Sequence, residues 1–110
     1  MLDNLKRIYI PMTETGFYIL YCLQEETHGY NIGLRVKAMT GGEINISPGT
    51  MYGSLSKMEK DGLIQFVKEE EKRKTYIITD LGNEILQIEL KRIKRLYINS
   101  RGGMCDGKVN

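Results

Sequence analysis

The sequence predicts a mostly α-helical chain with one small β-hairpin, an α+β fold. Three observations predict it. Capped segments with apolar residues at helical spacing fill most of the first sixty positions. Two β-prone runs, Leu63–Val67 and Thr75–Ile78, flank a charged stretch. A last helical run from Thr79 to about Ile98 is apolar on two faces. These observations divide the chain into an arm (1–10), a central domain (11–78), a long helix (79–98) and a tail (99–110).

Taken in order, the arm carries Leu2, Leu5, Ile8 and Tyr9 at helical spacing and is closed by Pro11. So short a helix is marginal alone in water, so it must pack on something. Thr13 caps the next helix, in which Phe17, Leu20 and Leu23 form a core stripe. Tyr18, Ile19, Tyr21 and Cys22 make that helix apolar nearly all round, which predicts burial on more than one side. His28-Gly29-Tyr30 opens a third helix with Ile32, Val36 and Met39 on its core face; Leu34 lies off that stripe. Thr40-Gly41-Gly42 ends it. Ile44-Asn45-Ile46 alternates as a very short strand would.

Residues 47–62 read as one helix with both ends encoded. Ser47 is the cap, Pro48 takes the first-turn position that tolerates proline, and Gly62 supplies the left-handed stop. Met51, Leu55 and Met58 make its inner stripe. After the hairpin, whose turn at Glu69–Arg73 has no Asn-Gly or Gly-Gly signal, Thr79 caps the last helix. Asp80 stands near its positive end, and Lys91, Arg92, Lys94 and Arg95 lie toward its negative end. The Gly-containing polar tail from Asn99 to Asn110 is expected to be mobile.

The 110 residues suit a single domain, and an apolar fraction of 41% supports a small core. A net charge of +2 excludes a generic polycation, so any nucleic-acid contact must come from local placement of Lys and Arg. Cys22 reads as a core residue and Cys105 as a tail residue. That pair forms neither a disulfide framework nor a metal site, and a reducing compartment fits. The first residues lack the apolar core of a signal peptide, and no apolar run approaches a membrane span, so a cytoplasmic protein is expected. No nucleophile, paired acids, P-loop or dinucleotide fingerprint stands out, so neither an enzyme nor a cofactor is expected. Glu69, Glu70 and Glu71 lack a second cluster and do not make a metal site.

Helix, helix, short strand, helix, hairpin and long helix is the order of a winged helix-turn-helix, here with a short N-terminal helical arm and an added C-terminal dimerisation helix. The outer face of the 47–61 helix is small, hydroxylic and basic. Thr50, Tyr52, Gly53, Ser56, Lys57 and Lys60 are the groove-facing set for double-stranded DNA, with Tyr52 alternatively completing the core. A mid-helix glycine costs about 1 kcal/mol against alanine, so Gly53 suggests close approach of a partner. At the hairpin tip Lys72, Arg73 and Lys74 are basic, and Arg73 and Lys74 are assigned to phosphates. Tyr30 offers a hydroxyl for a phosphate, while His28 is assigned a local hydrogen bond.

The last helix argues for a homodimer. Leu81, Ile85 and Ile88 form one stripe, continued by Leu96, and Leu86, Leu90, Ile93 and Tyr97 form another. One domain can bury one stripe; the arm (Leu2, Leu5, Ile8) or a second chain must cover the other. A two-fold pair would present two recognition helices to two operator half-sites. Tyr9 and Tyr97 are candidates to line a cavity for a small aromatic effector at that junction. A winged-helix protein-interaction module without specific DNA binding is the alternative reading.

Several motifs also resemble the PadR family of bacterial transcriptional regulators. They are Pro11–Leu20, His28-Gly29-Tyr30, Gly49–Leu55, Glu59–Ile64, Arg73–Tyr76 and Thr79–Gly82, in the family's order and spacing, covering residues 11 to about 98. The single last helix is similar to the family's short branch. The resemblance implies a homodimeric repressor whose third helix enters the major groove. Its wing would touch the backbone or minor groove, and its last helix would make the dimer. Some drug-binding relatives carry a tryptophan in that helix; this chain has no Trp.

Overall fold

The computed structural model describes residues 1–102. Five helices and three strands follow in the order α1 (Leu2–Tyr9), α2 (Glu14–Cys22), β1 (Thr27–His28), α3 (Gly29–Met39), α4 (Pro48–Lys60), β2 (Ile64–Glu70), β3 (Arg73–Ile78) and α5 (Asp80–Gly102). Side-chain caps fix where four helices begin. Thr13 Oγ1 accepts from Gly16 N–H at 3.0 Å, Ser47 Oγ from Thr50 N–H at 3.2 Å, and Thr79 Oγ1 from Gly82 N–H at 3.0 Å. His28 caps α3, its Nδ1 accepting from Asn31 N–H at 3.2 Å. Each such bond satisfies an otherwise orphaned first-turn amide.

The sheet is antiparallel in the order β1-β3-β2. The expected strand at Ile44-Asn45-Ile46 does not form. The third strand is Thr27–His28, which pairs with β3 as Thr27↔Tyr76 and His28↔Thr75. Thr27 is buried and its Oγ1 accepts from Asn31 Nδ2 at 2.8 Å, so the strand leads directly into the α3 cap. The hairpin is also tighter than the charged stretch suggested. β2 runs to Glu70, and only Glu71 and Lys72 turn the chain, with φ of 51° and 66°. Two left-handed residues in a row suit the twist of a hairpin, although Asn and Gly adopt them more readily.

The core joins Ile19, Leu20 and Leu23 of the α2 segment to Ile32 and Val36 of α3, Met51, Leu55 and Met58 of α4, Leu63, Ile64 and Tyr76 of the hairpin, and Ile85 and Leu86 of α5. Burying each large aliphatic side chain contributes about 1.5–3 kcal/mol. The α2 surface is less enclosed than its composition suggested. Phe17 and Tyr18 are half-buried and Tyr21 is exposed, with Phe17 stacked on Tyr21 at 6.0 Å. Met39 is exposed rather than in the core.

α5 extends past Ile98 to Gly102, so the first tail residues are helical; the rest of the expected tail, including Cys105, lies outside the described residues. Its start is fixed tightly. A methyl group at Gly82 would overlap the Leu63 carbonyl oxygen, so only glycine allows this approach. Thr79 Oγ1 donates to Gly62 O at 2.6 Å, and Thr79 N–H donates to Leu63 O at 2.9 Å. A second tie comes from buried Glu89. Both its carboxylate oxygens accept from Arg92 at 2.7 Å, and Oε2 also accepts from Met12 N–H at 3.1 Å. The long helix, the end of α4 and the α1–α2 link are thus held as one unit. No described helix is long and apolar enough to cross a membrane.

Candidate nucleic-acid interface

The outer face of α4 is open. Thr50, Gly53, Ser56, Lys57 and Lys60 are exposed, and a Cβ built at Gly49 or Gly53 would meet nothing within 4 Å. The α4 acid at Glu59 is exposed on the flank beside Tyr52, about 100° round the helix from Lys60. Tyr52 is both exposed and packed on the domain. It is 55% exposed, yet its ring edge lies 3.0 Å from where a methyl on Gly29 would sit. Glycine at that position lets the start of α3 pack against α4.

Lys57 faces a partner that the sequence pattern did not single out. Its Nζ lies 3.2 Å from Asp61 Oδ2 and 5.5 Å from the centre of the Tyr9 ring. The Tyr9 hydroxyl donates to the same Asp61 oxygen at 2.7 Å. The Tyr9 hydrogen bond is the main reason the Asp61 carboxyl is held below its ordinary value, with Lys57 adding to it. Burial, then the Asp61 contact, pushes the Tyr9 phenol far above the usual range. Tyr9 also lines a cavity of about 180 Å³ between α1 and α4, with Ile8, Met12, Ser54, Lys57 and Met58. Its ring is largely buried in the chain's own core and its hydroxyl holds Asp61 at the end of α4.

The wing brings the other cations. Arg73 and Lys74 are exposed and stand opposite Glu70 and Glu69 across the hairpin. Among the described residues neither forms an ion pair within 4.0 Å. The Arg73 guanidinium instead lies over the Tyr30 ring, 4.6 Å from its centre. Tyr30 is 54% exposed, and the His28 ring lies near-parallel to it at 6.5 Å. A cleft of about 330 Å³ opens between α4 and the wing, lined by Tyr52, Ser56, Lys72, Arg73, Lys74 and Tyr76 among others. The structure thus gathers Tyr52, Ser56, Arg73 and Lys74 round one cleft, with Tyr30 reached through Arg73. Thr50, Gly53 and Lys60 remain on the open helix face, and Lys57 is turned toward α1.

The residues expected at a dimer interface separate into two groups. Leu5 and Leu86 are buried in the chain's own core, because α1 packs on α5 of the same molecule. Leu2 and Leu90 are half-buried against that core. Ile8, Ile93 and Tyr97 are exposed, together with Leu96 and Ile98. The chain buries parts of both α5 stripes (Ile85 and Leu86) and leaves its free apolar surface on the second half of the helix.

The three core helices, the three-stranded sheet and the protruding hairpin are those of a winged helix-turn-helix protein. Residues 19–88 match the profile described as the transcriptional regulator PadR-like family, and the chain belongs to that family. Membership places it among transcriptional regulators rather than enzymes. It is similar to a transcriptional regulator from Clostridium thermocellum at 25% identity and a TM-score of 0.67, over 86% of this chain and 88% of that one. It is also similar to Bacillus subtilis PadR, solved in complex with operator DNA, at 28% identity and a TM-score of 0.61. That match covers 68% of this chain and 45% of PadR. An uncharacterised 37.1 kDa protein of transposon TN4556 from Streptomyces fradiae is 29% identical over 69 residues, 63% of this chain. The match spans only 19% of that protein's length.

Proposed function

We propose that the chain is a sequence-specific DNA-binding repressor that works as a homodimer. The observation that carries this reading is the open face of α4. Thr50, Gly53, Ser56 and Lys60 lie on it, with Arg73 and Lys74 of the wing beside it. Lys60, Arg73 and Lys74 hold phosphates and set position; Thr50, Ser56 and Tyr52 face base edges. The similarity to a PadR protein solved on its operator supports the same docking. The exposed Ile93, Leu96 and Tyr97 favour pairing through the ends of α5. A two-fold pair would set its recognition helices about 34–36 Å apart, one turn of duplex. Repression then follows from occupying both half-sites. Release by a small-molecule effector remains part of the reading, and the cavity that Tyr9 lines beside Lys57 and Met58 of α4 supports it.

Selection from a random duplex pool, with the protein's mass measured in solution, tests this. A dimer should enrich a two-half-site sequence. Three phosphate contacts per protomer give a log–log salt slope of about −5. Failure to enrich any sequence, or binding indifferent to salt, overturns the reading and favours a protein-interaction module.

A further inference from the structure

The placement of Tyr30 points to a role other than direct contact. Tyr30 belongs to α3 and Arg73 to the tip of the wing, next to the turn. The short β1 strand brings them together. His28 pairs with Thr75, so Tyr30, two residues beyond His28, comes to lie beside Arg73, two residues before Thr75. The guanidinium sits 4.6 Å from the Tyr30 ring centre. His28 is itself fixed as the cap of α3 and its ring runs near-parallel to that of Tyr30. A planar guanidinium stacked on an aromatic face keeps its N–H fork free at the edges. Arg73 makes no ion pair among the described residues, although Glu70 stands opposite it.

We infer that Tyr30 is a positioning residue: its ring holds the Arg73 guanidinium so that the fork meets a phosphate at the wing. The inference rests on the DNA-binding reading above. An unsupported Arg at a hairpin tip must freeze its rotamers on binding, whereas a stacked one is already oriented. The Tyr30 hydroxyl has no part in this, which separates the role from a direct phosphate contact.

The test compares Tyr30→Phe, Tyr30→Leu, Arg73→Ala and the double variant Tyr30→Leu/Arg73→Ala on the selected operator, across a salt series. Tyr30 is more than half exposed, so the leucine variant should fold. Tyr30→Phe should bind within about twofold of wild type. Arg73→Ala should make the slope shallower by about two, one phosphate per protomer of the dimer. Tyr30→Leu should lower affinity and shift the slope in the same direction, and the double variant should be no worse than Arg73→Ala alone. Loss of affinity in Tyr30→Phe equal to that in Tyr30→Leu would assign the hydroxyl to the duplex and overturn the inference. So would independent, multiplying effects of Tyr30→Leu and Arg73→Ala. These results leave DNA binding intact; a wild-type protein that selects no sequence removes the broader reading instead.

Discussion

Gly53 lies in the middle of α4, and a Cβ there would meet no atom within 4 Å. Nothing inside the free molecule therefore calls for glycine. Replacing an exposed mid-helix glycine with alanine lowers the backbone entropy lost on folding and stabilises the helix by about 0.8–1 kcal/mol. For a domain of this size that is a rise in Tm of roughly 4 °C. Operator binding should move the other way. If the duplex packs against the Gly53 backbone, an added methyl group holds the helix off the groove. Contacts from Thr50 and Ser56, one turn to either side, then lengthen together. Good bidentate base contacts are worth about 1–3 kcal/mol each, so loss of part of one per protomer predicts at least about a tenfold drop in affinity. Thermal melts and operator titrations at fixed salt read the two effects on the same preparation. A Gly53→Ala protein that melts higher and binds within twofold of wild type would refute the close approach. One that melts no higher would refute the assignment of Gly53 to an unconstrained helical site.

Leu96→Glu places a charge on the exposed end of α5; losing about 1.5–3 kcal/mol of burial from each copy should weaken dimerisation by about 10²–10⁴-fold, read by sedimentation. Unchanged mass would count against pairing through this surface. Arg92→Leu strands the buried Glu89 carboxylate and should cost about 3–5 kcal/mol in urea melts. Glu89→Gln should cost less, since Arg92 is 26% exposed and can turn to water. The Arg92 hydrogen bonds hold the Glu89 carboxyl below its ordinary value, so its stabilisation is present above the unfolded value of about 4.3 and is lost as pH falls through the folded one. The acid limb of a stability–pH curve should therefore be shallower in Glu89→Gln. Glu71→Asn combined with Lys72→Gly relieves two left-handed residues and should raise hairpin stability by about 1–2 kcal/mol; a lower Tm would refute the turn geometry.

Much of the fold was legible because the helix signals are local. Ser47, Pro48, Met51, Leu55, Met58 and Gly62 encode α4 within a single stretch, and its bounds agree with the pattern. What escaped was set by pairing across the chain. Thr27–His28 is a strand only because β3, about fifty residues on, offers it a partner. No two-residue segment carries a period of its own. The wheel of α5 showed two apolar stripes, but not that the chain would draw one buried face from both, Ile85 with Leu86. That choice depends on α1 and the Met12 amide reaching Glu89. No local pattern marks Asp61; only the folded arm shows that it takes both the Tyr9 hydroxyl and Lys57.

The Asp61 contact changes the electrostatics of the proposed docking. Lys57 is 57% exposed but paired, so among the described residues the cations of α4 and the wing tip outside any ion pair are Lys60, Lys72, Arg73 and Lys74. Lys60 stands on the last turn of α4, and the wing cations stand beside its middle across the cleft at Tyr52 and Ser56, so the charge is divided between helix and wing. In the proposed docking such a protomer would meet phosphates from both helix and wing, with the hydroxyls of Thr50 and Ser56 and the open Gly53 facing the bases. Few cations make for modest affinity from one protomer, because the salt-dependent part scales with the number of phosphates neutralised. Doubling that number requires a second copy in fixed register. The rigid join of α5 to Gly62, Leu63 and Met12 would transmit such a register from the end of α5 to α4. The exposed apolar end of α5 and the sparse charge of the DNA face are therefore two sides of one design. Either alone would be a liability, the first for solubility and the second for affinity, and the proposed pairing of two chains would resolve both.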